Sequence, residues 1–186
     1  MRDYYIHARN VFLITRTVEK RMALGPKARS RPFFRKLMDR SRGEKAGASV
    51  DGLKFIQGDV VAVNDRIFEE QPRRLMRAFL HAQRRGLDLH PDLAVLIRNS
   101  LHLVNSDFKK DPHVHETFLE ILNQPGAVAP ALRMMHDLDF LGKFIPEFGR
   151  LTCLVQHEFF HRYATDEHIL MCIDELDRAW NSKEPP

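Results

Sequence analysis

From Pro72 to the C-terminus the apolar residues recur at intervals of three and four, and the runs are cut by Gly86, His90-Pro91, Asp111-Pro112, Pro125-Gly126 and Pro146. That interval is the spacing of one helix face, and Gly and Pro are the residues that begin or end a helix. The stripes are Leu75 and Phe79; Leu93, Leu96, Ile97, Leu101 and Val104; Val114, Phe118, Ile121 and Leu122; Val128, Leu132, Met135 and Leu138; and Ile169, Ile173, Leu176 and Trp180. Each supplies a face to bury. The predicted fold class is therefore mainly α, a helical bundle. Pro91, Pro112 and Pro125 stand at or near a first turn, where a missing N–H costs little. Thr165 before Asp166 and Glu167 marks the start of the last helix.

Two stretches depart from this plan. In residues 52–63, Leu53, Phe55, Val60, Val61 and Val63 flank Gln57-Gly58-Asp59, the pattern of a short β-hairpin. Residues 3–24 read as a helix of their own, with Tyr4, Ala8, Val11, Ile14, Val18 and Met22 as the stripe to bury and Gly25-Pro26 as its end. This helix starts without a cap, which predicts that the natural chain extends upstream. Basic residues, a short helical turn at 33–38 and Ser/Gly/Ala-rich sequence follow to residue 50.

At 186 residues a folded chain buries roughly 70% of its unfolded surface, enough for a core without metal or disulfide staples. No run approaches the roughly 20 apolar residues of a membrane span, and the first 25 residues are charged throughout, unlike a signal peptide. An intracellular, cytoplasmic protein with no membrane partner is expected. Cys153 and Cys172 have no CxxC companion, so both are expected to be reduced core side chains without metal. Charge is uneven: residues 1–50 hold 13 Lys/Arg against 4 Asp/Glu, and the rest 16 against 21. A basic first quarter fits a solvated loop, a surface next to nucleotide phosphates, or a nucleic-acid-binding module; no nucleic-acid partner is expected here.

Three histidine constellations bear on chemistry. His157-Glu158-Phe159-Phe160-His161 is a literal HExxH, which on a helix would offer two zinc ligands and a general base for a self-contained metal-dependent hydrolase. Ten His and eleven Glu make a chance match easy, and the next candidate ligand, His168, lies seven residues beyond His161, outside the HExxHxxGxxH spacing. His136-Asp137 resembles a metal-binding His-Asp dyad, but nothing local supplies further ligands, so a surface dipeptide is the plainer expectation. In Thr165-Asp166-Glu167-His168 an acidic helix start leads to a histidine on the first turn, either a solvent-facing side chain or a first metal ligand oriented by a carboxylate.

Longer motifs carry more. Leu132-Arg133-Met134-Met135-His136-Asp137-Leu138, then Leu141-Gly142-Lys143-Phe144-Ile145-Pro146-Glu147-Phe148-Gly149-Arg150, then the run from Gln156 through Asp166-Glu167-His168 resemble the bacterial PII uridylyltransferase/uridylyl-removing enzyme family. The resemblance extends upstream through Phe118-Leu119-Glu120-Ile121-Leu122, Phe79-Leu80-His81-Ala82-Gln83, Ile67-Phe68-Glu69-Glu70-Gln71-Pro72 and Asp51-Gly52-Leu53 to Tyr5-Ile6-His7-Ala8-Arg9.

The resemblance implies an enzyme that uses Mg²⁺ or Mn²⁺ to transfer UMP from UTP to the PII signalling protein. An HD-type phosphohydrolase domain then removes it, and glutamine is sensed elsewhere. It implies three parts here: residues 1–50 trailing a nucleotidyltransferase domain, 51–155 a hairpin plus helical linker, and 156–186 the first part of an HD domain. The Gly-Ser and paired-Asp motifs of the transferase centre are missing. His168 matches only the first HD metal ligand, so no catalytic or cofactor-binding residue and no bound cofactor are expected in a linker segment that is inactive alone. The resemblance also makes HExxH a drifted, non-zincin motif, and Asp166-Glu167-His168 argues against the related adenylyltransferase of glutamine synthetase.

Overall fold

A computed structural model of the chain describes residues 2–23, 49–154 and 164–182. Helix α1 (Arg2–Ala23) is followed by a hairpin of β1 (Leu53–Ile56) and β2 (Asp59–Ala62), turning at Gln57-Gly58. Then come α2 (Ile67–Glu70), α3 (Arg74–Arg85), β3 (Asp88–Leu89), α4 (Pro91–Asn99), a 3₁₀ turn at Leu101–Leu103 and α5 (Ser106–Lys110). The chain continues through α6 (Pro112–Leu122), α7 (Val128–Asp137), α8 (Phe140–Phe144), α9 (Pro146–Leu151) and α10 (Thr165–Asn181). The mainly helical expectation and the hairpin both hold. Among the described residues no helix is long and apolar enough to cross a membrane.

Local chemistry sets the boundaries. Gly86 takes a left-handed conformation (φ 59°) at which its N–H reaches the carbonyls of Ala82 and Gln83, closing α3. Pro91, Pro112 and Pro146 each open a helix. The His90, Asn105 and Asp111 side chains accept backbone N–H groups at the starts of α4, α5 and α6. Pro125-Gly126 falls in the turn between α6 and α7. Strand β3 is a two-residue addition that the sequence did not announce, pairing parallel to β2 with Val60 beside Leu89.

Helix α3 is the axis, packing against α6, α7 and β2. Its Leu75, Met76 and Phe79 are fully buried with Leu53, Ile67, Phe68, Leu93, Ile97, Ile121, Met135 and Phe140. Phe79 lies 5.0 Å from Phe140, and Phe118 lies 5.2 Å from Phe144, ring centre to ring centre. Each such fully buried large apolar side chain contributes about 1.5–3 kcal/mol. Helices α8 and α9 cross at glycine: a Cβ on Gly149 would sit 2.6 Å from the carbonyl oxygen of Gly142, backbone that cannot step aside.

Two apolar stripes do not behave as expected. In α10 the buried line is Asp166, Leu170 and Asp177, while Leu176 (69% exposed) and Trp180 (70%) face solvent. In α1 the orientation is inverted: among its described side chains only Leu13 is buried, and the whole stripe from Tyr4 to Met22 faces out. The physical reason is on the opposite side. Arg9 binds Asp139 (2.8 Å), Arg16 binds Asp137 (2.9 Å), Lys20 binds Asp88 (3.1 Å) and Arg21 binds Asp92 (2.9 Å), while Arg2 donates to the carbonyls of Arg150 and Thr152. Helix α1 thus docks by charge onto an acidic surface. Such exposed pairs are screened by salt. Raising NaCl from about 50 mM to about 1 M, where the screening length falls from over 10 Å to about 3 Å, should speed amide exchange in α1 at least several-fold while leaving α3 unchanged. Equal response of both helices would refute charge-based docking.

Candidate functional site

The groups that could do chemistry fall into two clusters. The first joins α7, α10 and α1. His136 projects from the last turn of α7 into the interior, 2% exposed, with its Nε2 3.2 Å from Oδ2 of Asp166, itself 1% exposed, in the first turn of α10. The approach is off line for a full hydrogen bond, so the contact is chiefly electrostatic. Phe148 closes the imidazole edge-on at 5.5 Å. Glu167 stands 3.9 Å from His136 Nε2 and pairs with Arg133 at 3.1 Å. From α1, Arg9 donates both to the carbonyl oxygen of His136 and to Asp139, spanning the α7–α8 corner.

Burial alone would raise the Asp166 carboxyl, but the His136 side chain, the backbone N–H groups of Cys153 and Glu167 and the charge of His136 outweigh it. They hold Asp166 below the usual carboxylate range. Next to it, burial and the Asp166 charge push the Cys153 thiol up, which makes it an inert core residue. The expectation that both cysteines are core side chains holds for Cys153 and fails for Cys172, which is exposed on α10.

The second cluster ties the hairpin to α3. Asp51, in a left-handed conformation (φ 54°), accepts from Arg77 at 2.7 Å and from Nε2 of His81 at 2.8 Å. Arg85 lies 3.1 Å from His81 Nδ1 with its guanidinium 4.0 Å above the Phe55 ring. A guanidinium only donates, so Nδ1 accepts and the Nε2 proton points at Asp51. Both ring nitrogens are therefore engaged, and His81 has no free nitrogen for acid–base work.

Burial would raise Asp51, but the hydrogen bonds from His81 and Arg77 and the Arg77 charge hold it low. A carboxyl depressed in the folded state stabilises at pH above its ordinary value near 3.9 and loses that contribution as pH falls through the depressed value. The stability gap between the wild type and Asp51→Asn should accordingly be constant from pH 7 to 5 and close on acidification below about pH 4. A gap that stayed open at pH 2.5 in urea titrations would contradict this assignment.

The candidates read from the sequence fare differently. His157, Glu158 and His161 lie outside the described residues. His168 is exposed on the first turn of α10, and its described neighbour is Cys172, Sγ 3.9 Å from Nε2. Among the described residues no group of three His, Cys, Asp or Glu side chains converges to hold a metal ion. Among the described residues His168 and Cys172 alone are too few donors to hold a metal ion. His136-Asp137 is not a surface dipeptide: His136 points inward and Asp137 binds Arg16 outside, because consecutive helix residues point about 100° apart. The cations of α1 contact carboxylates and carbonyl oxygens of the domain itself, and the other basic residues of the first quarter lie outside the described residues. A groove of about 710 Å³ runs between α1, α3, α7 and α10, with Phe12, Leu87, Pro130 and Met134 on its walls and Arg133 and Glu167 at one side.

Sequence reasoning missed Arg9, the inward Asp166, and Asp177. The last is buried in α10 and accepts from the N–H groups of Gly126 (3.0 Å) and Ala129 (2.7 Å) at the start of α7. In every case the partner on another helix lies 30 to 130 positions away, and no local pattern marks it.

Comparison with known proteins adds the family. Residues 55–144 match the family described as uridylyltransferase GlnD third domain. The chain is 32% identical over 172 residues to a bifunctional uridylyltransferase/uridylyl-removing enzyme of Zymomonas mobilis, covering 92% of this chain. It is 31% identical over 173 residues to the enzyme of that description from Caulobacter vibrioides, covering 93%. The chain spans 18% of the length of each of these relatives. No solved structure matches the chain.

Proposed function

Residues 55–144 belong to the uridylyltransferase GlnD third-domain family, and on that premise we propose that the chain is the helical segment that positions the two catalytic centres of a uridylyl-transferring and uridylyl-removing enzyme. The substrates in this reading are UTP and the PII signalling protein, the compartment is the cytoplasm, and Mg²⁺ or Mn²⁺ acts at the centres themselves. The observation that carries it is the convergence of three separate elements on one point. Arg9 of α1, His136 of α7 and Asp166 of α10 are joined within two contacts. A buried junction of this kind fixes direction and contributes no chemistry, since neither His136 nor His81 has an accessible free nitrogen.

In this reading α10 carries His168, the first ligand of the uridylyl-removing centre, and the His136–Asp166 contact sets how His168 is presented. His136→Ala in a full-length enzyme bearing this segment is expected to lower uridylyl removal at least tenfold while transfer of UMP falls less than threefold. Equal loss of both activities, or loss of neither, would refute the positioning role. The 186-residue chain by itself should take up no tight Mn²⁺ or Zn²⁺ in calorimetric titration. One tight equivalent, abolished by His161→Ala, would instead favour a self-contained metal-dependent hydrolase.

A further inference from the structure

The outer face of α1 is the largest feature that the positioning role leaves unused. Tyr4, His7, Ala8, Val11, Ile14, Thr15, Val18 and Met22 are all exposed, Tyr4 at 71%, Val11 at 64%, Ile14 at 61% and Met22 at 76%. At 100° per residue they form one stripe directly opposite the docked line of Arg2, Arg9, Leu13 and Lys20. The stripe contains no Asp, Glu, Lys or Arg. Tyr4, Val11 and Val18 repeat every seven residues with Ile14 between, the seam of a helix that packs lengthwise on another helix. An uncharged apolar strip along a 22-residue helix marks an interaction surface.

We infer that this strip pairs with the α1 helix of a second copy of the chain, the two helices running antiparallel about a two-fold axis. The charges beside the strip select this occupant. Asp3 and Arg21 lie on the same flank, one near each end, and in an antiparallel pair each Asp3 comes opposite the partner's Arg21. The same register sets Val11 against Ile14 at the centre and places Tyr4 between Val18 and Met22 of the other copy. A parallel pair would instead put the two like flanks on opposite sides of the seam, so that no Asp3 would meet an Arg21. Asp3 has no ion-pair partner among the described residues, and Arg21 is half exposed in its pair with Asp92. Among the described residues the body of each copy lies on the far side of its own α1, which leaves the strip facing outward. One helix pair buries an area near the roughly 1,000 Å² at which specific interfaces begin, so the dimer is weak and depends on concentration.

Sedimentation equilibrium of the 186-residue chain from about 5 to 300 µM, at low salt, tests this. The weight-average mass should climb from 21.7 kDa towards twice that value. Val11→Asp, at an exposed site that leaves the fold intact by circular dichroism, should weaken association at least tenfold. Asp3→Arg alone should weaken it, and adding Arg21→Asp in the same chain should restore it. A chain that stays monomeric to 300 µM overturns the inference and leaves the strip to a different protein surface. A dimer indifferent to Val11→Asp, or one that the double charge exchange fails to restore, overturns it equally. None of these outcomes bears on the uridylyl-removal test of the positioning role.

Discussion

Asp166→Ala is expected to lower the melting temperature of the chain by roughly 10 °C. The reasoning starts from burial: both members of the His136–Asp166 pair are almost wholly shielded from water. Removing one partner of a buried electrostatic contact leaves the other desolvated and uncompensated, which costs about 3–5 kcal/mol, and in a chain of this size each kcal/mol is worth about 2–4 °C. The backbone N–H groups of Cys153 and Glu167 also lose the carboxylate they face. The replacement of both partners by apolar residues of similar shape has a different outcome. His136→Phe with Asp166→Leu removes the charge and the dipole together, and the ring can keep its edge-on contact with Phe148, so most of the lost stability should return. Thermal denaturation followed by circular dichroism on the two single variants and the double variant closes the cycle. Strict additivity of the single effects would show that the contact couples nothing.

Much of the fold could be read from the sequence because its signals are local. Gly86, His90-Pro91, Asp111-Pro112 and Pro146 each mark a boundary that the structure keeps, since a left-handed turn or a missing N–H acts on its own residue whatever surrounds it. Orientation was less legible. Periodicity finds a helix face but does not say what the opposite face will meet. In α1 the apolar stripe and the basic line of Arg2, Arg9, Arg16 and Lys20 are equally periodic, and the acidic surface formed by Asp59, Asp88, Asp137 and Asp139 decides between them. In α10 the buried line includes two aspartates, because each meets a specific partner on α7 or beside it.

The candidate site was legible only where it was carried by long composite motifs. Those motifs placed the chain correctly among the uridylyltransferase relatives, yet the residue that organises the junction, His136, was read as half of an exposed dipeptide. A His-Asp pair in a helix looks the same in sequence whether its histidine faces water or the interior. What distinguishes the cases is Asp166, thirty residues later and on another helix, and Arg9 at the other end of the chain.

Asp177→Ala should loosen the same junction from its far end, with a loss of roughly 3 kcal/mol. Helix α7 begins without a side-chain cap of its own: its first turn and the preceding loop present the N–H groups of Ala129 and Gly126, and Asp177 of α10 accepts both. The carboxylate therefore does for α7 what an N-cap does from within a chain, and its charge also meets the positive end of the helix. Charge-assisted bonds of this kind contribute about 1.5–3 kcal/mol each, and the site is too closed for water to replace them fully. Asp177→Asn retains an acceptor oxygen without the charge and should cost about half as much. Because Asn181 adds a separate bond to the Gly126 carbonyl, the two helices should stay attached at that point while amide exchange rises first at Gly126 and Ala129. Urea unfolding gives the free energies, and hydrogen exchange gives the order of opening. If Asp177→Ala and Asp177→Asn proved equally costly, the carboxylate would be serving as a packing shape, and the charge-based account of how α10 is held to α7 would fail.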